Sequence, residues 1–305
     1  MRAVTPGPAL ARCRAGQGLL PGAVHGPAIP TRMLGRAGLT VPRIVVGAMA
    51  YREGDAARER VLHAAIERGL FAIDTAPLYG FGRSESQLGR VLAGVRGRVR
   101  VLDKVGLRWD GDHGEILFEA IIDGQRRAVR RDSRPRALRA DVEGSLARLR
   151  IERIDLCQIH HPDPQVPIEE AIGELLVLRR EGKIDAIGVS NFDVQQFELL
   201  NSRIPLATNQ VECSPLHMDP IHDGSFDQAQ RLRVRPMIWS PLAGGRLFNE
   251  DSPAAHRVRW ALSEIGARLG VSTTTLAIAW LLRLPCQPIP VVGSRRLEAT
   301  DEAVA

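Results

Sequence analysis

Lysine is almost missing from this chain: of its 41 basic residues only Lys104 and Lys183 are lysines. A lysine kept at position 104 against that habit marks a place that asks for a compact ammonium and not a guanidinium fork. Long apolar runs are missing too. None reaches the roughly 18 residues that a membrane-spanning helix needs, so no membrane partner is expected. Cysteine is sparse and shows no paired spacing (Cys13, Cys157, Cys213, Cys286). That excludes a zinc ribbon or a disulfide framework and points to free thiols in a reducing compartment, with a cytoplasmic location expected. Residues 1–32 contain four arginines, no acidic residue and no aromatic one, and are broken by repeated Gly and Pro. They read as a disordered leader, or as sequence upstream of a true start at Met33. Those four arginines supply four of the six formal positive charges, so the remainder is close to balanced and the high pI carries no nucleic-acid signal. The arginine-rich stretch 126–139 likewise lacks the aromatic residues of a base-stacking surface.

What is present is a regular alternation. Short apolar runs at residues 43–49, 71–73, 100–103, 154–159, 184–189, 206–211, 235–239 and 287–292 read as strands. Helix-spaced segments separate them at 56–69, 84–92, 136–149, 168–181, 194–201, 227–231 and within 257–284. Eight strands joined by helix-length connections must run parallel, and eight of them close into a (β/α)8 TIM barrel. The chain is therefore read as α/β, with one barrel domain over residues 33–305 opened by a β-hairpin at 33–41. At 305 residues and 44% apolar composition it is long enough for such a core. The connection from 106 to 135 exceeds ordinary loop length and reads as a long loop whose arginines form a solvated face.

The stretch 71–89, FAIDTAPLYGFGRSESQLG, brings an acid and a phenol to one strand end. Asp74 closes the strand, and Tyr79 lies in the turn before a helix that opens near Ser84. A tyrosine hydroxyl, with a pKa of about 10, needs a nearby cation to lower that value before it serves as a proton donor at neutral pH; Lys104, at the next strand's end, supplies one. The same residues suit a structural role equally, with Asp74 capping the turn, Tyr79 packing and Lys104 a solvated strand end. Position adds a second criterion, because barrel chemistry sits at the carboxyl ends of the strands. Asp74, Lys104, His160, Ser190 with Asn191, Gln210, Trp239, and Ser294 with Arg295 and Arg296 all fall there. GFGRS at 80–84 lacks the third glycine of a dinucleotide fingerprint. A metal site on His160, His161 and Asp163 is disfavoured because neighbouring strand residues point to opposite faces, and no metal is expected.

Six motifs follow one another: DTAPLYGFGRSESQLG (74–89), DLCQIHHPDP (155–164), GKIDAIGVSNF (182–192), NQVECSPLH (209–217), WSPLAGGRL (239–247) and PIPVVGSRR (288–296). Together they resemble the aldo-keto reductase family over residues 32–303. The resemblance implies an NADPH-dependent oxidoreductase that reduces an aldehyde or ketone to an alcohol by hydride transfer. It implies Tyr79 as general acid, with Asp74, Lys104 and His160 completing the catalytic set. Ser190, Asn191 and Gln210 would meet the nicotinamide carboxamide, Trp239 would stack on its ring, Ser240, Leu242 and Gly244 would line the pyrophosphate, and Ser294, Arg295 and Arg296 the adenosine phosphate. The alternative is a non-catalytic, cofactor-binding regulatory or interaction protein on the same barrel. A shortened C-terminus, about thirteen residues beyond the last strand, leaves the closing seam of the barrel thinly covered in this reading. Ala299 stands where an arginine is usual, and Asp301 with Glu302 adds negative charge nearby, which predicts a weakened preference for NADPH over NADH. A small carbonyl compound is the expected partner, and the oligomeric state is not encoded legibly.

Overall fold

A computed structural model describes residues 29–36, 38–49, 54–294 and 296–305. Most of the proposed leader, and Arg295 of the phosphate site, lie outside the described residues. A hairpin comes first, β1 (Thr31–Leu34) and β2 (Leu39–Pro42). There follow β3 (Val45–Gly47), α1 (Ala56–Glu67), β4 (Ala72–Asp74), α2 (Arg83–Leu92) and β5 (Arg100–Val105). The chain then leaves the barrel for β6 (Leu107–Arg108), β7 (Ile116–Ile122) and β8 (Gln125–Arg131), and returns through α3 (Pro135–Leu149) to β9 (Ile154–Ile159). Alternation resumes with α4 (Ile168–Arg180), β10 (Ile184–Ser190), α5 (Val194–Arg203) and β11 (Asn209–Glu212). Then come α6 (Asp219–His222), α7 (Ser225–Leu232), β12 (Met237–Trp239), α8 (Arg246–Asn249), α9 (Pro253–Leu269), α10 (Thr273–Leu282), β13 (Ile289–Val292) and α11 (Leu297–Val304).

Strands β3, β4, β5, β9, β10, β11, β12 and β13 form a closed parallel barrel in that order. Parallel strands covered by helices are buried on both faces and so read as continuous apolar runs; all six residues of β9, IDLCQI, are buried. Several helices start where a side chain satisfies free backbone N–H groups. Asp193 and Gln196 form a reciprocal capping box on α5, and Ser252 and Ser272 cap α9 and α10. Inside the barrel, Ala72, Leu102, Leu156, Ala186, Met237 and Ile289 pack with Leu34, Leu39 and Val41 of the hairpin. The hairpin thus plugs the amino-terminal end of the barrel and leaves the carboxyl ends of the strands as its mouth.

Two expectations change. The connection 106–135 is no plain loop: β6, β8 and β7 form an antiparallel sheet. Its hairpin turns at Asp123 (φ 50) and Gly124 (φ 78), a pair of left-handed residues that matches the twist of the flanking strands. The arginines of β8 are partnered as well, Arg126 with Glu119 and Arg131 with Glu115. The closing seam is also covered, since α11 packs against α1 and α10 with Ala299, Thr300 and Ala303 buried and Arg68, just past the end of α1, hydrogen-bonded to Asp301 at 3.1 Å.

Candidate active site

At the mouth, β4 and β5 place a buried ion pair. Lys104, 1% exposed, lies inside β5 and not at its end. Its ammonium spends its three protons on Asp74 Oδ1 at 2.5 Å, Tyr79 Oη at 2.9 Å and the Thr75 carbonyl at 3.2 Å. An ammonium taken out of water without such partners would lose its charge. Burial does act against it, but the Asp74 carboxylate and the Tyr79 hydroxyl outweigh burial and hold the lysine pKa above its ordinary value. On the other side Asp74 Oδ2 accepts from Gln210 Nε2 at 2.8 Å and from Gln158 Nε2 at 3.5 Å. Gln158 escaped the sequence reading. Its signal was a lone amide inside the apolar run of β9, where a buried polar group must find partners.

Tyr79 reverses one expectation. Burial raises its pKa above the usual tyrosine value, and the opposing pull of Lys104 is smaller. The phenol therefore stays protonated through neutral pH. The ring of His160 meets the tyrosine ring edge-on, with centroids 6.0 Å apart at 82°. Burial, then Lys104 and His161, push the His160 pKa well below its normal value, so this imidazole is neutral. His161 does not point away from it, as strand alternation predicted: the two rings stack at 5.5 Å and 23°. Alternation does not apply because β9 ends at Ile159, one residue earlier. The carboxylate of Asp163, the third member of the disfavoured metal set, accepts the backbone N–H groups of Ser133 and Gln165.

The residues assigned to a nicotinamide converge on the same mouth. Ser190 Oγ donates to the Gln210 carbonyl at 2.8 Å. Gln210 Oε1 is buried with no hydrogen-bond partner among the described residues, an acceptor waiting for a donor such as a carboxamide N–H. Trp239 Nε1 donates to Asn191 Oδ1 at 3.0 Å. Beyond Trp239 the chain passes Ser240, Ala243, Gly244 and Gly245, all with positive φ. The run folds into tight turns, with the Ala243 N–H donating to the Ser240 carbonyl at 2.8 Å and the Gly245 N–H to the Leu242 carbonyl at 3.1 Å, and Leu242 lies within it. The adenosine-phosphate set is only partly in view: Ser294 Oγ accepts the Arg296 N–H at 3.0 Å and Arg296 is exposed. Ala299 is buried, 6% exposed, so it faces the protein body. Asp301 is drawn to Arg68.

An Asp, Lys, Tyr and His constellation at the mouth of an eight-stranded parallel barrel defines an enzyme class, and comparison with known proteins agrees with it. The aldo/keto reductase family model matches residues 43–305, and the chain belongs to that family; it is an NAD(P)H-dependent oxidoreductase. It is 37% identical to the oxidoreductase YdhF of Escherichia coli over 78% of each chain. It is 36% identical to a 6-dehydroglucose reductase of Agrobacterium fabrum over 85% of this chain and 86% of that one. Among solved structures, a glycerol dehydrogenase of Gluconobacter oxydans superposes with a TM-score of 0.78 at 30% identity, covering 92% of this chain and 90% of that one. Among the described residues no single helix is long and apolar enough to cross a membrane.

Proposed function

We propose that the protein reduces an aldehyde or ketone to the alcohol with NADPH, and that Tyr79 is the general acid. The observation that carries this reading is the hydrogen-bonded chain Asp74–Lys104–Tyr79 facing the neutral ring of His160. When bound, the cofactor supplies hydride to the carbonyl carbon. The oxygen gains the electron pair of the broken π bond and needs a proton in the same step. Tyr79 Oη gives that proton, because an alkoxide is far more basic than a phenolate. Lys104 stabilises the phenolate left behind through the contact it already makes at 2.9 Å. His160, uncharged, is placed to donate a hydrogen bond to the carbonyl oxygen and so to orient it. Gln210, with its free Oε1, and Ser190 and Asn191 border the carboxamide position. Trp239 offers a ring face, and the run from Ser240 through Leu242 and Gly244 takes the pyrophosphate.

The test is Tyr79→Phe. Carbonyl reduction is expected to fall by orders of magnitude while NADPH affinity stays near that of the wild type, since only the transition-state proton donor is removed. Retained turnover would sink the mechanism. Preference for NADPH over NADH rests on Arg296, exposed at the start of α11, together with Arg295. Arginine grips a phosphate through paired charge-assisted hydrogen bonds. Arg296→Met is expected to weaken NADPH by roughly ten- to a hundredfold and leave NADH unchanged; equal weakening of both would show that the 2′-phosphate is not read there.

A further inference from the structure

The amide of Asn191 has one orientation that fits its neighbours. An indole N–H only donates, so Trp239 Nε1, at 3.0 Å, fixes the Asn191 oxygen toward itself. The amide nitrogen then faces the His160 carbonyl at 3.0 Å, Ser190 Oγ at 3.1 Å and His161 Nε2 at 3.2 Å. Facing a donor nitrogen, His161 Nε2 acts as an acceptor in the tautomer that carries the ring proton on Nδ1. Burial and the Arg131 guanidinium hold the His161 pKa down to about 4, which is consistent with this neutral tautomer. The His161 ring is thus locked at one edge, and its face lies against His160 at 5.5 Å. His160 also meets the Tyr79 ring edge-on. The imidazole assigned to the carbonyl contacts both rings, while its backbone carbonyl is pinned by the same Asn191.

We infer that His161 is a positioning residue: its ring, stacked on His160 at 5.5 Å, holds His160 at the angle from which it orients the substrate carbonyl. This rests on the role given to His160 above. The stack, and not the polar edge, does the holding. A ring face restricts the tilt of its neighbour, and an error of about 1 Å in placement costs up to about a hundredfold in rate. In this role His161 acts through His160.

Two substitutions separate the ring from its edge. His161→Phe keeps the stack and loses the acceptor; His161→Gln keeps an acceptor and loses the stack. For His161→Gln, kcat for carbonyl reduction is expected to fall about ten- to a hundredfold, with NADPH affinity by fluorescence and Tm unchanged. For His161→Phe, kcat is expected to stay within about threefold of the wild type. Full activity in His161→Gln, or a loss in His161→Phe as large as in His161→Gln, overturns the proposal. His160→Gln, measured beside them, tests the reading underneath. If it reduces carbonyls as well as the wild type does, the role of His160 falls and takes the positioning role with it. If His160→Gln fails while His161→Gln is unimpaired, only the positioning role falls.

Discussion

Tyr79 keeps its proton past the ordinary tyrosine value because burial resists the phenolate more than Lys104 favours it. A donor must be protonated to act, so its contribution is lost only as pH rises through that raised value. His160 is held neutral and adds no titration near the normal histidine pKa of about 6.5. The pH profile of kcat/KM for carbonyl reduction is therefore expected to run flat through neutrality and to decline only above about pH 10. An inflection between about 6 and 7 that disappears in His160→Gln would contradict this. Lys104 makes a second prediction at the same scale. Removing one partner of a buried ion pair strands the other: Lys104→Met leaves Asp74, 2% exposed, with only the amides of Gln210 and Gln158. A loss of about 3–5 kcal/mol is expected in denaturant unfolding, along with the loss of turnover. The residues that meet here were largely readable one by one, since each sits at a strand end in a motif. Gln158 was not, because an amide inside a buried strand shows its purpose only when the partner across the barrel, Asp74, is in place.

Among the elements, α2 depends on close approach to α3. A Cβ added at Gly89 would lie 2.4 Å from the Arg148 carbonyl and 2.9 Å from that of Leu149, backbone atoms that cannot swing aside. The same face carries the ion pair of buried Glu85 with Arg148 at 2.7 Å. Gly89→Ala forces the helices apart and is expected to cost about 1–3 kcal/mol, seen as a lowered Tm; an unchanged Tm would mean that α3 shifts freely. Periodicity gave the existence and order of the barrel elements, with ends displaced by a residue or a few. It failed at the sheet β6–β8–β7. Asp123 and Gly124 between two strand-forming runs were a legible hairpin signal, but the count of arginines drew attention to charge. Only the cross-strand register shows that those charges face acids, Arg126 opposite Ile121 and close to Glu119. The fate of Ala299 was equally hidden, since which side of α11 faces inward depends on α1 and α10. An arginine at that buried position is now expected to lower Tm and not to tighten NADPH.

For the whole molecule, two histidines held neutral in the folded chain, His160 buried and His161 half-buried, contribute an acid dependence to stability. In the unfolded chain both take up protons as pH drops below about 6.5; in the folded chain His161 resists until about 4, and His160 is also shifted well down. Between those values the unfolded state binds more protons at these two sites, so their contribution to stability is fully present above about 6.5 and is lost as pH falls toward 4. Asp141, whose carboxyl burial pushes up to about 7, and Asp103, also raised by burial, act in the opposite sense over the same range, so the histidine contribution is read as a difference. From about pH 7.5 to 5, Tm is expected to change less favourably in the wild type than in His161→Phe, and identical slopes would remove His161 as a cause. By itself the sequence determined the α/β alternation, the barrel and the chemistry available at its mouth. Those follow from local periodicity and from residue types, which survive without knowledge of neighbours. The tertiary structure decided what no local pattern carries: that burial outweighs Lys104 at Tyr79, that His161 turns in beside His160 once β9 has ended, and that α11 closes the seam. Each is a balance between groups far apart in the chain, set only when eight strands bring them within a few ångströms.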